Sequence, residues 1–394
     1  MKKLLTILLV LALAFPLAAE DVELRGDHPR EYVVQEGDTL WDIAARFLVR
    51  PWQWPAIWQA NPQIENPHLI FPGDVISLVY IEGEPRLVVD ETRRLSPEIR
   101  REPIVGPITT VPLDAIRTFL VKPRVVGVEE LAGFPYVVAN EERQMFAAFP
   151  DRTYVRGLRD RRVGDQVIIA RVNFQFEDAS GDGDRANMRQ NRMRPNLAQV
   201  PYAERPIGQH RRSAEAIART GRVVGYQLWE VARATVVETG DPAILEILDS
   251  EREVAAGDYV LPLDPHLYDL TFHPRPMERE IPAGARVIAV NDAHHGVGHY
   301  QIVVLGLGDI DGVDPGHTFA AFRPGETIRD RCHDGLRGRP APTRAEGRNV
   351  TLPDEYAGQL MVFRTFERVS YALVMGGERP VREGDLLFHP DRRL

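Results

Sequence analysis

Between Glu31 and Ile81 the hydrophobic pattern changes period from one segment to the next. EYVVQ alternates apolar and polar positions, the mark of a half-buried strand. After a turn at Gly37-Asp38, Leu40, Ile43, Ala44, Phe47 and Leu48 recur at the spacing of one helical face. Thr39 followed by Asp42 has the form of a capping box, with a hydroxyl at the N-cap and a carboxylate three residues on. Trp54, Ile57 and Trp58 form a second helical stripe, with Pro55 near its first turn. Asn61-Pro62 ends that stripe, because the residue before proline avoids helical geometry. NPHLIFPGDVISLVYI then supplies a turn and a closing strand. The predicted order is strand, helix, helix, strand.

Residues 82–120 lose this periodicity and read as a linker with a short helix. From residue 121 onward, short Val/Ile/Tyr-rich runs alternate with Gly-Asp turns, which predicts a mostly-β region. Segments within it echo one another. VVAN at 137–140 answers VIAVN at 287–291, and EVAAGDYVLPLD answers PVREGDLLFHPD. The echoes predict two related β modules, at 121–265 and 280–394. The first copy must carry the longer insert, and the polar, Arg-, Asn- and Gly-rich stretch 178–219 is expected to be that insert, flexible rather than packed. The fold class is therefore multidomain: a small α+β N-terminal module followed by a mostly-β region.

Composition narrows the chemistry. A formal net charge of −9 over 394 residues argues against nucleic acid as the main partner, since phosphate binding needs concentrated positive charge. The opening MKKLLTILLVLALAFPLAAE has the form of an export signal, residues 1–19: Lys2 and Lys3, an apolar run from Leu4 to Phe15, and a small-residue cleavage site at Leu17-Ala18-Ala19. A periplasmic protein cleaved near Ala19 is expected. The lone Cys332 permits no disulfide framework.

Candidate metal and catalytic groups were weighed and set aside. His294, His295 and His299 crowd into NDAHHGVGH, but the intervening glycines break any helix that would present them together. Asp178, Ser180, Asp182 and Asp184 imitate a calcium loop, yet its twelfth position is Arg189 instead of a bidentate Glu. Cys332-His333-Asp334 are consecutive, an arrangement that rarely forms a nucleophile–base pair. No cofactor, metal site or enzymatic activity is expected.

The segments YVVQEGDTLWDIA, NPQI and NPHLIFPGDVI, in that order over residues 32–81, resemble the LysM family of peptidoglycan- and chitin-binding modules. The resemblance implies a βααβ fold that binds N-acetylglucosamine-containing glycans without catalysis. In that family the sugar lies in a shallow groove between the loop after the first strand and the loop before the second. Carried onto this chain, one wall is Gly37, Asp38, Thr39, Leu40 and Trp41; the other is Asn61, Pro62, Ile64, Leu69, Ile70, Phe71 and Pro72. Between Ile43 and Asn61 this chain is a few residues longer than the family's usual pattern, the extra length being Pro51-Trp52-Gln53-Trp54-Pro55. Of the tryptophans, Trp54 and Trp58 are expected in the core, Trp52 is expected to point elsewhere, and Trp41 is the candidate for touching glycan.

The functional expectation is a periplasmic, wall-associated, non-catalytic peptidoglycan-binding protein. Its β modules act as a spacer or contact an envelope protein. Alternatives left open are a wall-remodelling hydrolase with an unfamiliar active site, and an envelope scaffold whose main ligand is another protein.

Overall fold

The structure, a computed structural model, describes residues 22–58, 70–81, 83–89, 109–112, 115–117, 119, 123–177, 199–201, 223–263, 272–290, 296–329 and 349–392. The expected signal segment, Asn61 to Leu69, the calcium-like loop, His294, His295 and Cys332 lie outside the described residues. The chain divides into two compact units, residues 1–108 and 109–394.

In the first unit, strand β1 (Glu31–Val33) leads to helix α1 (Leu40–Phe47), a 3-10 turn (Pro51–Gln53), helix α2 (Trp54–Trp58) and strand β2 (Val75–Ile81). The predicted order is present. One element was not foreseen: β3 (Glu84–Val89), within the expected linker, forms a hairpin with β2, giving the sheet order β1-β2-β3. Leu87 of β3 is 1% exposed and joins the module's core, and Arg86 donates to the Ala56 carbonyl at 2.7 Å. Strand β3 thus continues the first unit's sheet beyond Ile81.

The second unit holds two closed sheets. In the first part, β4 (Pro123–Val126), helix α3 (Val128–Gly133), β5 (Tyr136–Asn140), β6 (Phe146–Ala147) and β7 (Arg152–Arg156) come first. There follow β8 (Gln166–Glu177), β9 (Gln199–Pro201), β10 (Val223–Glu238), β11 (Ala243–Ser250), β12 (Val254–Ala255) and β13 (Tyr259–Pro262). The sheet runs β10-β11-β7-β5-β13-β8 and closes by pairing β8 with β10, a barrel. Strand β9 falls inside the stretch expected to be a flexible insert and pairs with β8 at Phe174 to Phe176, so that stretch is not wholly unpacked. The rest of it lies outside the described residues.

The remaining strands are β14 (Arg275–Pro276), β15 (Val287–Val290), β16 (Ile302–Leu305), β17 (His317–Arg323), β18 (Thr327–Arg329), β19 (Asn349–Thr351), β20 (Glu355–Thr365), β21 (Ser370–Gly377) and β22 (Leu386–Phe388). The sheet runs β17-β20-β21-β16-β15, with β22 on the other side of β17. An Arg286–Leu386 bridge and the Val287 N–H to Asp385 carbonyl bond, 2.8 Å, bring β22 back to β15 and close this sheet too.

The two barrels repeat one another in detail. Taking each barrel's own strands in chain order, both connect first to second to fifth to fourth to third to sixth. Their irregularities also coincide. A register shift at Val137/Ala139 recurs at Val287/Ala289, and those at Arg233/Ala234 and Val236/Glu238 recur at Gln359/Leu360 and Val362/Arg364. Bulges are local features set by individual residues, so their repetition marks two copies of one design. The interiors differ in bulk: valine, alanine, isoleucine and leucine fill the first, while Phe319 and Met277 enter the second.

Each barrel also pairs a buried carboxylate with a partly exposed arginine at the same place. Asp258, 3% exposed, accepts from Arg171 through Nε at 2.6 Å and Nη2 at 2.8 Å; its counterpart Asp385 stands 3.6 Å from Arg323. The Asp258 bond is also the main reason the Arg171 guanidinium is held above its ordinary pKa. Replacing Asp258 with alanine removes a bidentate acceptor, and the expected cost is about 1.5–3 kcal/mol, the range for bonds to charged groups. Asp385→Ala, with the looser pair, should cost less. Urea midpoints of the two variants check this, and equal or reversed costs would show that guanidinium geometry does not set the difference.

Candidate functional site

Two tight turns in the first unit stand side by side. The first follows β1: Asp38 donates its N–H to the Gln35 carbonyl at 3.2 Å and accepts the Gln35 N–H on Oδ2 at 2.8 Å. The second precedes β2: Asp74 donates to the Phe71 carbonyl at 3.1 Å and accepts the Phe71 N–H at 3.0 Å. Val34 ties them together, donating to the Asp74 carbonyl at 2.9 Å and accepting from Gly73 N–H at 2.8 Å. Gly37 and Gly73 have φ of 91° and 96°, left-handed values that a side chain disfavours. Among the described residues nothing lies within 4 Å of where a Cβ would stand at either glycine, so the backbone there is open to a ligand on that side.

The first turn is fixed from below. Thr39 caps α1 through its hydroxyl, and Asp42 returns a bond to the Thr39 N–H at 3.1 Å, the capping box read from the sequence. Tyr32 donates its hydroxyl to Asp38 Oδ2 at 2.8 Å, and Arg46 lies over the Tyr32 ring at 4.4 Å. Burial and then the Asp38 bond raise the Tyr32 pKa, so it stays a neutral donor near neutral pH.

The expected wall residues separate by exposure. Gly37 is exposed, and Asp38, Phe71 and Pro72 are half-buried. Thr39, Leu40 and Trp41 are each 2% exposed and Ile70 is 0% exposed, so they have almost no free surface and underlie the rim. Asn61, Pro62, Ile64 and Leu69 lie outside the described residues. The site thus brings Gly37 and Asp38 beside Phe71 and Pro72; of the carboxylates in the two turns, Asp38 is engaged by Tyr32 and by Gln35 N–H, Asp74 by Phe71 N–H, and Glu36 is exposed.

Trp54, Ile57 and Trp58 are in the core with Leu40, Ile43 and Phe47, as their spacing implied. Trp52, expected to project differently from that stripe, is absent from this cluster of buried residues and is itself buried, 4% exposed, in the 3-10 turn before α2. Beside it Gln53 is 3% exposed, and among the described residues neither its carboxamide oxygen nor its nitrogen has a hydrogen-bond partner.

No group of three or more His, Cys, Asp or Glu among the described residues converges as a metal site would require. His299, one of the clustered histidines, stacks on Tyr300 with ring centroids 3.7 Å apart.

Residues 32–79 match the family model of the LysM domain, so this module is a LysM domain. A 60-residue stretch is 37% identical to "Uncharacterized protein YqbP" of Bacillus subtilis (strain 168), a match that covers 13% of this chain and 27% of that protein.

A buried polar group without a partner costs stability, and replacing it by an apolar group of similar shape removes that cost. Gln53→Leu is therefore expected to stabilise the LysM domain by about 1–3 kcal/mol, the desolvation penalty of one such group. A raised thermal midpoint for this domain checks it; a lowered midpoint would mean that the carboxamide is satisfied in solution.

Proposed function

We propose that this chain is a periplasmic, non-catalytic protein that binds N-acetylglucosamine-containing peptidoglycan through its LysM domain. In this reading the paired barrels hold a second contact, to an envelope protein. The observation that carries the proposal is the pair of adjoining turns at Gly37-Asp38 and Phe71 to Asp74, placed inside residues that match the LysM model. Their chemistry suits an uncharged polymer. Backbone around Gly37 offers an amide and a carbonyl to an acetamide, and Gly73, whose N–H is held by Val34, offers its carbonyl, while Phe71 and Pro72 present apolar surface to the methyl group and the sugar faces. One such groove binds weakly, and a repetitive wall raises retention by offering neighbouring sites.

A pull-down on purified sacculi with the full chain tests this reading. Wild type is expected in the pellet, and Phe71→Ala is expected to bind more weakly by about 1–3 kcal/mol, the scale for loss of a contact aromatic. Tyr80→Ala, at a side chain 64% exposed on β2 outside the two turns, should bind as wild type does. Wild type remaining in the supernatant would overturn the proposal, and clearing of sacculi in a zymogram would overturn its non-catalytic part.

A further inference from the structure

One turn in the second barrel differs from its relatives in the atom that holds it closed. At Gly316-His317, with Gly316 φ of 94°, Asp314 N–H donates to His317 Nδ1 at 3.0 Å and His317 N–H returns to the Asp314 carbonyl at 3.1 Å. The counterpart in the first barrel is Gly164-Asp165, where Arg162 N–H donates to a carboxylate at 2.9 Å. The two turns are equivalent in the fold: Gly164 N–H reaches the Val236 carbonyl of β10, and Gly316 N–H reaches the Val362 carbonyl of β20.

A carboxylate accepts such a bond down to about pH 4, whereas an imidazole accepts only while neutral. Protonation places a second N–H on Nδ1, facing the Asp314 N–H. His317 is 5% exposed, so water cannot readily replace the lost bond. The turn also anchors a neighbouring segment. His317 pairs in parallel with Arg275 of β14, Arg275 N–H donates to the Gly316 carbonyl at 3.1 Å, and Thr318 Oγ1 donates to the Arg275 carbonyl at 3.2 Å. Beyond β14 the strap 276–285 carries the buried Met277 and, with Leu386 to His389, encloses a cleft of about 630 Å³.

We propose that the Gly316-His317 turn is an acid-sensitive latch: protonation of His317 breaks its bond to the Asp314 amide and loosens β14 and the strap 276–285 from β17. The charged groups around the imidazole are Arg275 on β14, Asp314 in the turn and Glu278 on the strap. Burial, then Arg275, push the His317 pKa down, while Asp314 and Glu278 oppose them. The folded value thus lies below the unfolded value of about 6.5. The contribution of the latch is complete above about pH 6.5, falls as the pH drops from there, and levels off below the folded pKa.

Hydrogen exchange on the full chain tests this, read at residues 313–318 and 275–285 from about pH 7.5 to about pH 5.5 and corrected for the intrinsic pH dependence of exchange. Wild type should lose protection several-fold in both segments over that interval. H317Q and H317D should stay flat. Glutamine at the acceptor position of such a turn already occurs at Gln301, whose Oε1 accepts the Gly298 N–H at 2.7 Å. Constant protection in wild type overturns the proposal whether or not the variants fold. So does an equal loss in wild type and in either variant.

Discussion

A side chain that accepts the backbone N–H three residues before it closes the turns on which both units are built. Asp38, Asp74, Asp165, Asp258 and Asp385 all do so, and each follows a glycine at positive φ. The glycine permits a sharp reversal that a Cβ would strain. The reversal leaves an inward N–H that no ladder can reach, and the carboxylate satisfies it without help from distant parts of the chain. In the LysM domain two such turns are joined through Val34 and form the candidate rim. In the barrels the same device starts β8 and leads into β13 and β22. Asp258 and Asp385 add a second role there, since each also faces an arginine from the neighbouring strand.

The duplication shows which parts of the barrel design are fixed and which are free. Strand order and the bulge positions are common to both copies. What precedes each barrel is not. In the first, residues 128–133 wind into helix α3 and seat Leu131 at 0% exposure against Tyr226, Leu228 and Tyr259. In the second, the strap 276–285 contains Pro276 and Pro282, which oppose a helix, and Ile281 is left only partly buried. The long hairpin of β8 and β10 that receives α3 is likewise shorter in the second copy, where β17 ends at Arg323 and β20 begins at Glu355.

Local signals were legible in the sequence; long-range ones were less so. The LysM order, its capping box and its core stripe follow from spacing within a few turns of chain, and the structure and the family match agree with them. The mostly-β character of the remainder was legible from its short Val/Ile/Tyr-rich runs between Gly-Asp turns, and Ala139 and Ala289 do sit at equivalent bulges. Strand β3 was missed because EPRLVV runs into an arginine- and proline-bearing stretch that reads as linker, while its burial depends on pairing with β2. The separate projection of Trp52 follows the 3-10 turn that breaks the helical phase before Trp54. Barrel closure was beyond reach for a related reason: it depends on pairings such as Gln166 with Thr235, far apart in sequence and silent in any local pattern.

Glycan recognition by the two joined turns is the central claim, and acetamide dependence is its sharpest signature. The most direct measurement is a calorimetric titration of the full chain with N-acetylglucosamine oligomers of increasing length, set against their de-acetylated equivalents. Binding that strengthens with length and disappears on de-acetylation is the predicted result. Equal binding of both series, or heat from neither, would contradict the account.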